Sequence, residues 1–182
     1  FVSWTKFRNF MNTRWGFFTL CAFLFWAKTI FVYLVDFHLG VSGIYQYFVL
    51  LINPIATTLL IFSIALYIKR TLPAYVCLFL LYTANSVLLL ISVIYYREFT
   101  DFMTINVIFG YSYVSQGLST CSFSMVKPQD IAIIGDLIVV LILLLLKKIK
   151  LDERPIVRKQ AVAMTSFSLF FLMLNITLGE ID

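Results

Sequence analysis

Residues 15–35 read WGFFTLCAFLFWAKTIFVYLV, an apolar run with one charged side chain, Lys28. A helix rising about 1.5 Å per residue needs roughly 20 such residues to cross about 30 Å of hydrocarbon. The stretch therefore predicts a membrane span, and four more follow. Ile44 to Ile68 is uncharged and carries Asn53-Pro54. Ala74 to Tyr96 has Asn85 near its middle, Gln129 to Leu146 holds Asp136, and Ala161 to Leu178 has Asn175 near its end. The expected fold class is all-α: a polytopic membrane bundle with spans at 15–35, 44–68, 74–96, 129–146 and 161–178, and a juxtamembrane segment at 97–128.

Composition agrees with the local pattern. Of 182 residues, 62% are hydrophobic and 13% charged, against roughly 45–50% and about 25% in soluble domains. Mean hydropathy is +0.96. So apolar a chain excludes intrinsic disorder, a collagen-like repeat and a disulfide scaffold. Cys21, Cys77 and Cys121 have neither metal-site nor disulfide-framework spacing and read as small hydrophobes. Phe1 and Asp182 are expected to be boundaries within a longer protein.

The net charge of +5 raises the question of an anionic partner. Its placement answers it. Lys6, Arg8, Arg14, Lys69, Arg70 and the basic residues between Lys147 and Lys159 fall on one side of the predicted spans, eleven of the fourteen Lys and Arg. Arg97 and Lys127 fall on the other. By the positive-inside rule the N-terminus is expected in the cytoplasm and the C-terminus outside. The basic excess then reports topology and anionic headgroups rather than nucleic acid. The first run is too long for a signal-peptide core, which has 7–15 apolar residues, and no small-x-small site follows it.

Asp36 to Gly43 and Lys69 to Pro73 are short connections, which predict antiparallel neighbours. Arg97 to Pro128 is long, a length usually associated with function or structure. Within it Phe99, Phe102, Met103 and Val107 recur near helical spacing, which predicts a short interfacial helix on the outer face. Gly110 and Gly117 then punctuate a Ser- and Tyr-rich stretch.

Ionisable side chains inside a span are costly unless paired. Lys28 and Asp136 are the two here, each about 10 Å below the outer ends of their spans by helical rise, with Asn53 at roughly 12 Å. One reading makes this layer a notch for a lipid headgroup or a polyanionic chain end, with Lys28 facing phosphate. The plainer reading is a Lys28–Asp136 pair plus an Asn53-Pro54 kink that tightens the bundle. Arg97 suits bidentate phosphate binding, or else an interfacial anchor contacting Asp101. Lys28, Asn53, Arg97, Asp101, Lys127 and Asp136 are thus the candidate substrate- or lipid-binding residues. His38 lies near Asp36 alone, too few ligands for a metal. No nucleophile elbow, P-loop or outer carboxylate cluster is present, so catalytic and metal residues are not expected in this chain. A flippase needs a polar path through both leaflets, and only Asn85 lies at the centre.

The order of short motifs resembles the membrane domain of lipoteichoic acid synthases of Gram-positive bacteria. The residues carrying the resemblance are Asn12-Thr13-Arg14, Gly16-Phe17-Phe18, Phe25-Trp26-Ala27-Lys28-Thr29, Tyr33 to Gly40, Ile52-Asn53-Pro54, Tyr95 to Phe102, Lys127-Pro128-Gln129-Asp130 and Asn175 to Asp182. The resemblance implies five membrane helices ahead of an extracellular alkaline-phosphatase-like domain. That domain is expected to use a Thr nucleophile and a divalent metal, typically manganese, to move glycerol phosphate from phosphatidylglycerol to a chain on a glycolipid anchor. The implied partners are these lipids, the chain's own catalytic domain, and cell-wall or division proteins. The implied location is the cell membrane. Alternatives are a purely structural membrane anchor and the membrane domain of a related phosphoethanolamine transferase.

Overall fold

The computed structural model describes residues 10, 12–37, 43–99, 127–145, 152 and 156–179. Among them there are five α-helices and no strand: α1 (Arg14–Val35), α2 (Ile44–Ser63), α3 (Thr71–Phe99), α4 (Ile131–Leu145) and α5 (Arg158–Gly179). Four of these, over Arg14–Val35, Gln46–Tyr67, Thr71–Arg97 and Arg158–Thr177, are long and apolar enough to cross a membrane. The all-α membrane fold read from the sequence is thus what the chain adopts.

Local chemistry sets the helix ends. Thr13 caps α1, its hydroxyl accepting from Gly16 N–H at 3.0 Å, a contact worth about 1 kcal/mol. α2 tightens into one 3₁₀ turn, Ile64–Tyr67, before the chain turns. Pro73 sits in the first turn of α3, where its missing N–H is tolerated. α3 therefore starts three residues before the expected span, and the connection from α2 shrinks accordingly. It also runs on to Phe99, so Phe99 belongs to α3 and not to a separate interfacial helix. The rest of that expected helix, with Asp101, Phe102, Met103 and Val107, lies outside the described residues, as do His38 and Cys121.

The fourth expected span is the least regular. It opens with a 3₁₀ turn, Pro128–Asp130, and α4 has 15 residues, about 22 Å. Asp130 spends its carboxylate on the Lys127 amide and on Arg97, which holds the entry in the tighter coil.

The bundle packs around α1, which contacts α2, α3 and α4, while α5 lies along α2. Phe17, Phe18, Cys21 and Phe25 form one stripe of α1 and bury against Phe62, Ala65, Leu66, Tyr75, Leu78 and Tyr82. A second, smaller cluster joins Val32, Phe37, Val93 and Ile133. Pro54 has no N–H for the Leu50 carbonyl, and beside that gap the Trp26 indole N–H donates to the Leu51 carbonyl at 2.9 Å. Such outside donors are how a membrane helix accommodates proline.

Candidate functional site

Two charged clusters join α1, α3 and α4 at different heights. In the first, Lys28 projects from the buried stripe of α1 and is 8% exposed. Its ammonium donates to Asp136 Oδ2 at 2.9 Å, to Ser86 Oγ at 2.6 Å and, at longer range, to the Tyr82 hydroxyl and the Ile133 carbonyl. Tyr82 donates its own hydroxyl proton to Asp136. The ammonium also lies 4.3 Å from the Tyr82 ring centre, a cation–π arrangement that strengthens where water is excluded. An ammonium has three N–H donors, so this one is fully engaged inside the protein. The geometry is a closed brace, with the cation turned to a carboxylate rather than to an opening.

The second cluster centres on Arg97, near the end of α3. Its guanidinium grips Asp130 through both terminal nitrogens, each at 2.8 Å, and also bonds Asp36, the C-cap residue of α1. The side chains of all three are at most 8% exposed. Beside them the Tyr96 hydroxyl donates to the Phe37 carbonyl at 3.2 Å, with the two rings edge to face. Burial pushes the Asp130 carboxyl up, but the Arg97 hydrogen bond and the Lys127 amide outweigh it and hold the group below the usual carboxylate range. Arg97 thus meets Asp36 and Asp130; Asp101, the partner considered from sequence, lies outside the described residues.

The six candidates from sequence separate accordingly. Lys28 and Asp136 come together. Arg97 sits at the second cluster, where Lys127 gives its backbone N–H to Asp130 at 2.8 Å and leaves its side chain exposed. Asn53 does not join the Lys28 layer, because its side-chain oxygen accepts from Asn175 at 2.6 Å. Two adjacent spans each holding one amide satisfy each other more cheaply than either reaches the ion pair.

Sequence reading does not name Asp36, Asp130, Tyr82 or Ser86 as partners. Tyr82 and Ser86 stand one turn apart on α3, a spacing that marks a shared face. Arg14, a topological charge and a motif residue in the sequence, is buried and binds the carbonyls of Ile68, Lys69 and Asp152 and the Thr71 hydroxyl at 2.8–3.2 Å. It ties the start of α1 to the α2–α3 turn. Asn85 donates to the Leu81 carbonyl of its own helix.

A groove of about 300 Å³ opens between α1 and α2, lined by Ala22, Phe23, Trp26, Ile55 and Leu59 with Thr19 and Thr58. Both threonine hydroxyls bond carbonyls of their own helices, so the wall is effectively hydrocarbon. Among the described residues, no three His, Cys, Asp or Glu side chains gather into a metal site.

Comparison with known proteins places these features in a family context. The family described as "Lipoteichoic acid synthase N-terminal domain" matches residues 4–182. The lipoteichoic acid synthase of Staphylococcus saprophyticus is 33% identical over 93% of this chain and 26% of its own length. That of Staphylococcus aureus is 31% identical over 92% and 26%. Lipoteichoic acid synthase 2 of Bacillus subtilis is 28% identical over 92% and 25%. The chain therefore spans about a quarter of the length of these relatives. No solved structure matches it.

Proposed function

Because the chain belongs to the lipoteichoic acid synthase N-terminal domain family, we propose that it is the membrane part of an enzyme that polymerises glycerol phosphate from phosphatidylglycerol. It anchors a catalytic domain on the outer face of the cell membrane and presents lipid to it. The observation that carries the reading is the match over residues 4–182, running through all five helices. In this reading the N-terminus is cytoplasmic and the end of α5 is outside. Nucleophile and divalent metal, manganese by the resemblance, belong to the catalytic domain, and no residue of this chain is assigned as their ligand.

Within that frame the two clusters have distinct roles. The Lys28–Asp136 brace holds α1, α3 and α4 as one body. The Arg97 clasp sets the ends of the same helices, and exposed Lys127 beside it is the residue assigned to an anionic headgroup or to the growing chain. Positioning of that kind lowers a barrier by holding reactants together. A full-length protein carrying this chain should restore polyglycerol-phosphate polymer to a Gram-positive strain lacking its own synthase. No polymer from a stably inserted protein refutes the reading. Reporters fused after Asp182 should be active outside the cell and silent inside it. Lys127→Ala should shorten or reduce polymer at unchanged protein level, whereas an unrelated anchor giving full-length polymer favours a purely structural membrane part.

A further inference from the structure

The polar contacts between α2 and α5 share one register. Asn175 donates to Asn53 at 2.6 Å, and the Thr165 hydroxyl lies 3.3 Å from that of Ser63 while also reaching the Ala161 carbonyl of its own helix at 3.0 Å. Ten residues separate the two contacts on each helix, as an antiparallel pair in fixed alignment requires, and helical rise puts them about 15 Å apart. Tyr67 reinforces the second contact, its hydroxyl 2.9 Å from that of Thr165. Between them Ser168 is fully buried, its hydroxyl returned to the Met164 carbonyl of its own helix, so a small side chain lies at the interface. Elsewhere α5 turns large apolar residues outward, including Phe167, Phe170, Met173 and Ile176. Interhelical hydrogen bonds add to van der Waals packing in choosing which faces, and which level, of two helices meet in lipid. A slip or rotation of α5 breaks both polar contacts together.

We propose that Asn53 and Asn175, with the Ser63–Thr165–Tyr67 cluster, are positioning residues that fix the axial register and rotation of α5 on α2. They thereby set where, and facing which way, the chain leaves the bilayer toward a catalytic domain. The first half of this inference stands on the geometry; the second rests on the proposed function above.

The test uses the full-length protein in native membranes. A variant with its native cysteines replaced and carrying Ser63→Cys and Thr165→Cys reports register by disulfide formation under mild oxidant. Adding Asn53→Leu should lower the cross-linking rate about threefold, the scale of one interhelical hydrogen bond in a bilayer; Asn53→Gln should retain most of it. A second readout is polymer length. Insertion of one alanine just after Asn175 turns everything beyond it by about 100°, whereas four alanines nearly restore the phase. Polymer length should shift strongly with one inserted residue and weakly with four, at equal protein level. An unchanged cross-linking rate in Asn53→Leu overturns the register. Intact cross-linking with insertions of equal effect overturns its transmission to the catalytic domain. Failure of the proposed function itself would instead appear as no polymer from the unaltered protein.

Discussion

Lys28 reaches from α1 to α3 and α4, whereas Arg97 reaches from α3 to the end of α1 and the start of α4. The same three helices are joined at two heights, about 12 Å apart along α1, with Val32, Val93 and Ile133 packed in a neighbouring apolar cluster. At the deeper joint one carboxylate matches one ammonium, and hydroxyls and an aromatic face complete the shell. At the joint near the helix ends two carboxylates share one guanidinium, and exposed Lys127 stands beside them. A net charge deep in hydrocarbon is expensive, so the deeper joint closes neutral. The joint near the helix ends is just as buried, and its guanidinium holds two carboxylates by direct hydrogen bonds.

The sharpest way to break the comparison is Lys28→Met, which strands Asp136 and should cost about 3–5 kcal/mol, read as a lower melting temperature in detergent. Adding Asp136→Leu should recover most of that loss, because removing both partners leaves no orphaned charge. A double variant as unstable as the single one means the brace is not a closed pair. Arg97→Gln comes next, at about 3 kcal/mol near neutral pH, and differs in its pH response. In the unaltered protein Asp130 is held below its ordinary value. Its contribution is therefore complete above the unfolded carboxylate value of about 4 and lost as pH falls through the lower folded one. In Arg97→Gln the hydrogen bond that lowers Asp130 is gone, so the loss of stability on acidification should become shallower. An equally steep acid-side fall in melting temperature in both proteins would remove the clasp from the account.

Smaller effects sharpen the contrast with neutral joints. Arg14→Gln removes hydrogen bonds to three carbonyls and a hydroxyl without stranding a carboxylate, and should cost about 1–3 kcal/mol. Proteolytic susceptibility of the α2–α3 turn is the local readout. Asn53→Leu should cost only about 0.6 kcal/mol, within reach of careful melting curves. A loss as large as that of Lys28→Met would mean that amide pairs carry as much of the bundle as ion pairs do.

Legibility followed the same physics. Lys28 and Asp136 stood out because a charge inside an apolar run needs a partner, and each supplied the other's. Asp36 and Asp130 did not, since a carboxylate at the edge of a span reads as an ordinary loop residue until the fold carries Arg97 to it. Tyr82 and Ser86 were hidden for another reason: hydroxyl side chains are common in membrane helices, and their pairing depends on which face turns inward. Asn53 finds Asn175 rather than the Lys28 pair, because contact depends on two helices and a depth count on one. The spans were legible from length and hydropathy. The fourth opened in a 3₁₀ turn, set by contacts of Asp130 that no single-helix pattern contains.

One dimension of the fold bears on how the molecule meets its membrane. α3 has 29 residues, about 43 Å end to end, against a hydrocarbon core of roughly 30 Å. Upright, it stands about two turns proud of the core; flush with it, it must lean steeply. Its Arg97 end is pinned to α1 and α4, so α3 cannot lean by itself. Bilayer thickness then acts on three helices as a unit, and a thicker or thinner membrane raises or lowers the Arg97–Lys127 rim relative to the headgroups.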